Sequence, residues 1–317
     1  MRLVGDAVRE TSTRDYLRHR GFAILHFHAA APSIVLSSLG RLFERSFSEV
    51  DLFDLVRSMP NVLSYHGRAE ITAPGTRAAS WERRSLLQYR WIICVDKHLH
   101  EFVSGLHSQY GIDSEIKFIP NMVDTDWFRP GGGQSGECLV VGFAARASAE
   151  RGTVLIRRLV DSAPKGVRFR LALADVRRTD ARAWARYSSS RPNVDIQFNL
   201  DPASMREFYL GIDMLFNPIQ FGGMSRATLE SMACGRPAAM IGVGDRWPVK
   251  HDETGFLLTT DQDPVEDLIA LLGELVMDRE RIRKVGRCAR NLVVEEFSSK
   301  VIVPKIEEFY DLAISAA

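Results

Sequence analysis

The stretch FGGMSRATLESMACGRP, which begins at Phe221, sets two glycines ahead of a helix and a single carboxylate, Glu230, just inside it. Such a start can hold an anion. Glycines let a ligand approach the backbone, and the first N–H groups of a helix lack internal partners and lie at the positive end of its dipole. A carboxylate placed there can accept hydrogen bonds from a diol such as ribose. The same glutamate also reads as an ordinary solvated helix residue, because a glycine loop running into a helix is a weak signal. A second candidate is VVGFAARASAERG, where a buried strand leads into Arg146 and Arg151. Two fixed cations at the carboxyl end of a strand can clamp a diphosphate in bidentate fashion; two surface arginines would look the same. His66 follows the strand VLSY and precedes Gly67, again at a strand's carboxyl end, where it can reach a substrate hydroxyl. His26 and His28 share one face of a strand by its two-residue alternation, with no third metal ligand evident nearby.

Two tripeptides imitate the Asp-x-Asp pattern of metal-diphosphate sites: DTD at 124–126 and DQD at 261–263. The first falls in a connecting segment. In the second, Asp263 before Pro264 is a natural helix N-cap. Both read as structural. The cysteines Cys94, Cys138, Cys234 and Cys288 are too scattered for a metal knuckle or a redox pair, which points to reduced thiols.

These residues need a scaffold, and the bulk composition supplies one. The chain has 317 residues, 45% hydrophobic and 26% charged, enough for two domains with sizeable cores. Its formal charge of +1 gives no basic field and argues against nucleic acid as a partner. The N-terminal stretch MRLVGDAVRETSTRDYLRHR has no apolar leader, and no apolar run approaches the roughly 18 residues of a membrane span. A cytoplasmic location is expected, with peripheral contact at the inner face of the membrane left open.

The N-terminal third alternates short apolar runs with amphipathic stretches. FAILHFH (22–28), VLSYH (62–66), WIICV (91–95) and IKFIP (116–120) read as strands; VLSSLGRLFERSF and KHLHEFVSGLHSQYG read as helices. Strand–helix alternation predicts a parallel sheet. NMVDTDWFRPGGGQSGE then breaks the pattern and reads as an inter-domain linker. The alternation restarts with CLVVGFAA, VRFRLALA, VDIQFN, DMLFNP, PAAMIG and GFLLT as strands, and GTVLIRRLVDSA, PASMREFYLGI and RATLESMAC as helices. Everything after Pro264 reads as helical. The predicted fold class is α/β, with two Rossmann-like parallel-sheet domains facing a cleft. Ligands of such sheets bind at the carboxyl ends of the strands.

Taken in order, the stretches IICVDKHLHEFV, KFIPNMVDTDWFRP, VGFAARASAERG, NVDIQFNLDPASMREFYLGIDMLFNP and GGMSRATLESMACGRPAAMIGVGDRWPVKHDETGFLL resemble the retaining GT-B glycosyltransferases of glycosyltransferase family 4 (glycosyl transferases group 1). The likeness spans about residues 22–315 and is specific from Ile92 to Leu258. The resemblance implies an acceptor-side domain at 1–126, a nucleotide-sugar-binding domain at 127–300 and a C-terminal helix at 301–317 that packs back toward the first. It implies that Arg146 and Arg151 grip the donor diphosphate, Arg151 standing where the family usually has lysine. Backbone amides of Gly223, Met224 and Ser225 would cap the distal phosphate, Glu230 would hold the ribose hydroxyls, the base would lie near Phe198 and Asn199, and His66 would sit beside the reacting sugar and acceptor. The implied reaction moves a sugar from a UDP- or GDP-sugar to an acceptor hydroxyl with retention, without a metal and without a cofactor beyond the nucleotide-sugar substrate. Implied acceptors are glycans, lipid-linked molecules or small molecules.

Two departures stand out. The family hallmark has two glutamates, and Gly222 occupies the place of the first. The N-terminal half is also shorter than the family pattern, which would leave a sheet edge for a homodimer or a partner subunit to cover. The alternative they suggest is a non-catalytic GT-B subunit that binds a nucleotide-sugar or stabilises a partner glycosyltransferase.

Overall fold

The computed structural model describes residues 24–28, 60–66, 75–131, 136–174, 178–219, 225–242, 246–258 and 263–316. The expected helix at 35–47 lies outside them. They divide into two units, the first taking the described residues up to Pro120 together with Val303 onward, the second the described residues between Asn121 and Ile302.

The first unit is built on four parallel strands in the order β1-β2-β3-β4: β1 Leu25–Phe27, β2 Asn61–Tyr65, β3 Trp91–Cys94 and β4 Glu115–Phe118. Alternation along the strands sends Phe27, Leu63, Tyr65, Ile92 and Cys94 to one face. There they meet Leu86 at the end of α1 (Arg77–Leu86) and Leu99, Val103 and Leu106 of α2 (Lys97–Gln109). The opposite face carries His26, Ser64 and Trp91. The later part of the last helix covers it: Phe309, fully buried, meets Trp91 edge-on at 5.4 Å, and Tyr310 reaches His26.

The second unit holds six parallel strands in the order β10-β9-β8-β5-β6-β7. They are β5 Leu139–Arg146, β6 Val167–Ala174, β7 Val194–Phe198, β8 Met214–Asn217, β9 Ala238–Ile241 and β10 Gly255–Leu258. Leu139, Val141, Phe143, Phe169 and Leu171 point to one face, against α3 (Thr153–Asp161), α4 (Arg178–Ser189) and α7 (Pro264–Met277). Ala172, Leu215 and Met240 point to the other, against α5 (Pro202–Leu210), α6 (Arg226–Ala233) and α8 (Arg279–Phe297). Two helix-breaking signals act inside the helical tail. Asp278 ends α7 and caps α8 by accepting from the N–H of Arg281 at 3.0 Å; Ser298 separates α8 from α9 (Ser299–Ser315). The fold class expected from the sequence is present, as two parallel α/β units.

The reading of 121–137 as a plain linker needs correction over its first part. Val123 forms a parallel bridge to Ser298, and Phe128 is buried edge-on against Tyr209 at 5.9 Å. Arg290 of α8 donates to the carbonyl oxygens of Thr125 (2.9 Å), Phe128 (2.7 Å) and Ala233 (2.7 Å). Backbone carbonyls removed from water need donors, and one guanidinium supplies several. The segment is therefore part of the second unit.

Helix α8 passes so close to Gly235 that a Cβ on Gly286 would lie 2.2 Å from the Gly235 carbonyl oxygen, whereas a Cβ on Gly273 of α7 would meet nothing within 4 Å. Gly286→Ala is expected to destabilise by about 1–3 kcal/mol through overpacking. Gly273→Ala is expected to stabilise by about 0.5–1 kcal/mol through helix propensity. Thermal unfolding should show melting temperatures moving in opposite directions; a shift in the same direction for both refutes the close approach.

Candidate active site

The parallel sheet of the second unit brings the candidate residues to one edge. Strand β5 ends at Arg146, which is exposed, and a short 3-10 turn (Ala149–Arg151) follows, with Arg151 half-buried. Gly152 comes next with φ +86, in the left-handed region that glycine enters without strain. A Cβ there would lie 2.2 Å from Cγ of Pro218, the residue after β8. The arginine-bearing turn thus sits directly against the exit of β8, the strand paired beside β5.

That exit is itself locked to α6. Asn217 Nδ2 donates to Thr228 Oγ1 at 2.9 Å, and Asn217 Oδ1 accepts from the N–H of Ile219 at 3.3 Å. Gly222, Gly223 and Met224 lie outside the described residues. Ser225 is the N-cap of α6, and its side chain makes no capping hydrogen bond. Glu230 stands further along this helix, its side chain only 14% exposed. Tyr209 donates to Glu230 Oε2 at 2.8 Å, and Arg226 Nη2 lies 3.6 Å from Oε1. Burial raises the pKa of Glu230, against the opposing pull of the Tyr209 hydrogen bond and of Arg226.

Phe198 ends β7, half-buried against the core, and Asn199 follows with φ 50, a left-handed conformation that asparagine tolerates well. The Asn199 N–H donates to Leu173 O at 2.8 Å, which fixes the turn. A cavity of about 450 Å³ opens beside it, lined among others by Gln197, Leu200, Ser204, Arg170 and Trp127.

In the first unit, His28 and His66 lie just beyond β1 and β2, neighbouring parallel strands, so both leave the same edge. Their rings stack with centroids 6.2 Å apart, and His26 lies 4.2 Å from His28. His26 is held at both ring nitrogens, Nε2 by Ser64 Oγ at 2.7 Å and Nδ1 by Tyr310 Oη at 2.5 Å. Burial first, and then the neighbouring imidazoles, push His26 down to about 4 and lower His66 as well. His26 is therefore neutral near pH 7, and the lowered pKa of His66 favours its uncharged ring. Among the described residues no group of three or more His, Cys, Asp or Glu is arranged to hold a metal ion, and no helix is long and apolar enough to cross a membrane.

In the Asp-x-Asp lookalikes, Asp124, Asp126 and Asp263 are otherwise engaged, and Asp261 lies outside the described residues. Asp124 Oδ1 accepts from the N–H groups of Asp126 and Trp127, and Asp126 pairs with Lys300 at 2.8 Å. Asp263 caps α7 through Val265 N–H and pairs with Arg158.

The two parallel-sheet α/β units, of four and six strands, match those of solved GT-B glycosyltransferases. Residues 139–278, most of the second unit, match the family Glycosyl transferases group 1 and form a domain of that family. Alpha-maltose-1-phosphate synthase of Mycolicibacterium smegmatis is 24% identical over 290 residues, 82% of this chain and 74% of that protein. Among solved structures, sucrose-phosphate synthase from Thermosynechococcus elongatus matches with a TM-score of 0.74 at 16% identity, covering 96% of this chain and 77% of its own. HepE from Anabaena, solved in complex with UDP-glucose, matches with a TM-score of 0.67 at 15% identity, covering 93% and 79%. At these identities the structural likeness speaks for the fold.

The histidine cluster gives a pH dependence of known sign. A histidine whose folded pKa lies below the unfolded value of about 6.5 stabilises the fold fully above that pH and loses its contribution as pH falls toward the folded value. For His26 that window runs from 6.5 down to about 4. The melting temperature should fall across it, and the fall should be smaller in His26→Gln; equal slopes for the two proteins refute the assignment.

Proposed function

We propose that this chain is a retaining glycosyltransferase that moves a sugar from a nucleoside-diphosphate sugar to an acceptor hydroxyl without a metal. The observation that carries the reading is the carboxyl edge of the second unit's sheet: β5 ends at Arg146, the turn bearing Arg151 closes on Pro218 through Gly152, and Asn217 ties that same exit to α6, the helix of Glu230, within a match to glycosyl transferases group 1. The neighbour HepE holds UDP-glucose, which supports a UDP-sugar as donor.

In the proposed reaction the bond from the anomeric carbon to the distal phosphate oxygen breaks and a bond to the acceptor oxygen forms on the same face. The acceptor proton passes to the departing phosphate oxygen. Negative charge grows on the diphosphate, and fixed cations and helix-start N–H groups stabilise it most in the transition state. Arg146 and Arg151 serve that charge. Ser225, with its hydroxyl uncommitted to capping, and the amides beside it face the distal phosphate, Glu230 binds the ribose diol, and the turn at Phe198 and Asn199 flanks the base. His66, its pKa lowered by desolvation and then by the neighbouring His28, hydrogen-bonds the transferring sugar. The engagement of Asp124, Asp126 and Asp263 in turns, caps and ion pairs supports a mechanism that needs no Asp-x-Asp metal site.

Purified protein given UDP- and GDP-sugars with simple glycan or glycoside acceptors should form product with the donor's anomeric configuration, read by proton NMR, and should keep doing so in excess EDTA. Arg146→Ala should lower kcat by about 10²–10³-fold, the usual cost of losing one charge-stabilising donor. An inverted product overturns retention, and loss of activity in EDTA overturns metal independence. Gly222, in place of the family's first hallmark glutamate, favours a second reading as a nucleotide-sugar-binding subunit. Binding of UDP with no turnover of any donor, restored by a partner glycosyltransferase, is the result that selects it.

A further inference from the structure

Tyr209 is fully buried near the end of α5 and has no route to solvent. Its ring is pinned edge-on between Phe128 at 5.9 Å and Phe208 at 5.3 Å. The hydroxyl of this immobile ring donates to Glu230 Oε2 at 2.8 Å. Among the described residues, the other polar partner of that carboxylate is Arg226, whose Nη2 lies 3.6 Å from the opposite oxygen and whose own side chain is 78% exposed. The two partners differ in kind: one is rigid and buried, the other a long, solvated side chain that holds a partner weakly.

A carboxylate on a flexible glutamate stem can turn through many orientations, and a vicinal diol is gripped in a defined one. The fixed phenol anchors Oε2 and so narrows the orientations open to the carboxylate, and Oε1 is the oxygen beside the exposed Arg226. We propose that Tyr209 is a positioning residue that holds Glu230 in the one orientation able to grip a pentose diol, and so sets the preference for ribose over deoxyribose in the donor. This rests on the reading of Glu230 as the ribose ligand. Tyr209 touches no substrate; it acts through the carboxylate. Its phenol stays a donor because burial and the neighbouring Glu230 both raise its pKa.

The test is a double-mutant cycle read by calorimetric titration with UDP and 2′-deoxy-UDP, with GDP and 2′-deoxy-GDP run alongside. Tyr209→Phe keeps the ring and removes only the hydroxyl, and Glu230→Gln keeps the shape and removes the charge. Wild-type protein should prefer the ribonucleotide by roughly 10- to 100-fold, the scale of one or two hydrogen bonds to a charged group. Tyr209→Phe should shrink that ratio at least fivefold while leaving deoxynucleotide binding within about twofold. The double variant should match Glu230→Gln alone, because neighbours in one network do not add. If Glu230→Gln erases the preference and Tyr209→Phe retains it, the positioning role is wrong and the ribose role of Glu230 stands. If both nucleotides weaken equally in Tyr209→Phe, the tyrosine merely supports the fold and the inference fails. If Glu230→Gln leaves the ratio unchanged, or wild type binds none of the four nucleotides, the ribose role and the inference fall together.

Discussion

Parallel strand pairing is the constraint from which the rest follows. A parallel neighbour cannot be reached by a tight turn, so each strand must be followed by a crossover that returns over a face of the sheet. All carboxyl ends then open on one edge. In the second unit that edge collects the exits of β5, β7 and β8, and with them Arg146, Phe198 and the approach to Ser225. In the first unit it collects His28 and His66. Residues far apart in the chain become neighbours through sheet geometry alone, before any side chain makes a specific contact.

Local locks then convert nearness into orientation. Gly152 allows the arginine turn to close on Pro218 where any larger residue would collide. Asn217 ties the exit of β8 to Thr228 on α6, and Tyr209 ties Glu230 to α5. Buried polar groups must find partners or destabilise the fold, and here the partners are side chains at the mouth of the sheet. The same condition shapes the imidazoles of the first unit, where Ser64 and Tyr310 satisfy both nitrogens of His26 without charge. Neutral rings stacked at close range avoid the repulsion that neighbouring imidazolium ions would bring.

What was legible in the sequence follows from which signals are local. Apolar runs bounded by turn residues mark strands, and β2, β3, β5, β6 and β8 were readable for that reason. Helices α1 and α4 were not. The first, RAASWERRSL, and the second, RTDARAWARYSS, hold few large apolar residues, and their apolar faces are built largely from alanine; among the described side chains of α4 only Trp184 is buried. The capping threonine, Thr76, was the available sign for α1. Glu230 and the two arginines stood out because their flanking loops are distinctive. Tyr209 did not, since a tyrosine in MREFYLGI reads as core and its partner lies on another helix. Arg290 was hidden in the same way: its carbonyl partners at Thr125 and Phe128 belong to a segment that reads as linker.

The split membership of α9 has a consequence for biosynthesis. The sheet of the first unit is translated early, yet the helical segment bearing Phe309 and Tyr310, which shields its second face, leaves the ribosome only after the whole second unit. At about 5–20 residues per second, that delay is on the order of 10–40 seconds. Throughout it, Trp91 and the His26 face lack the helix that covers them in the finished fold. The part of the protein made first is therefore the part finished last.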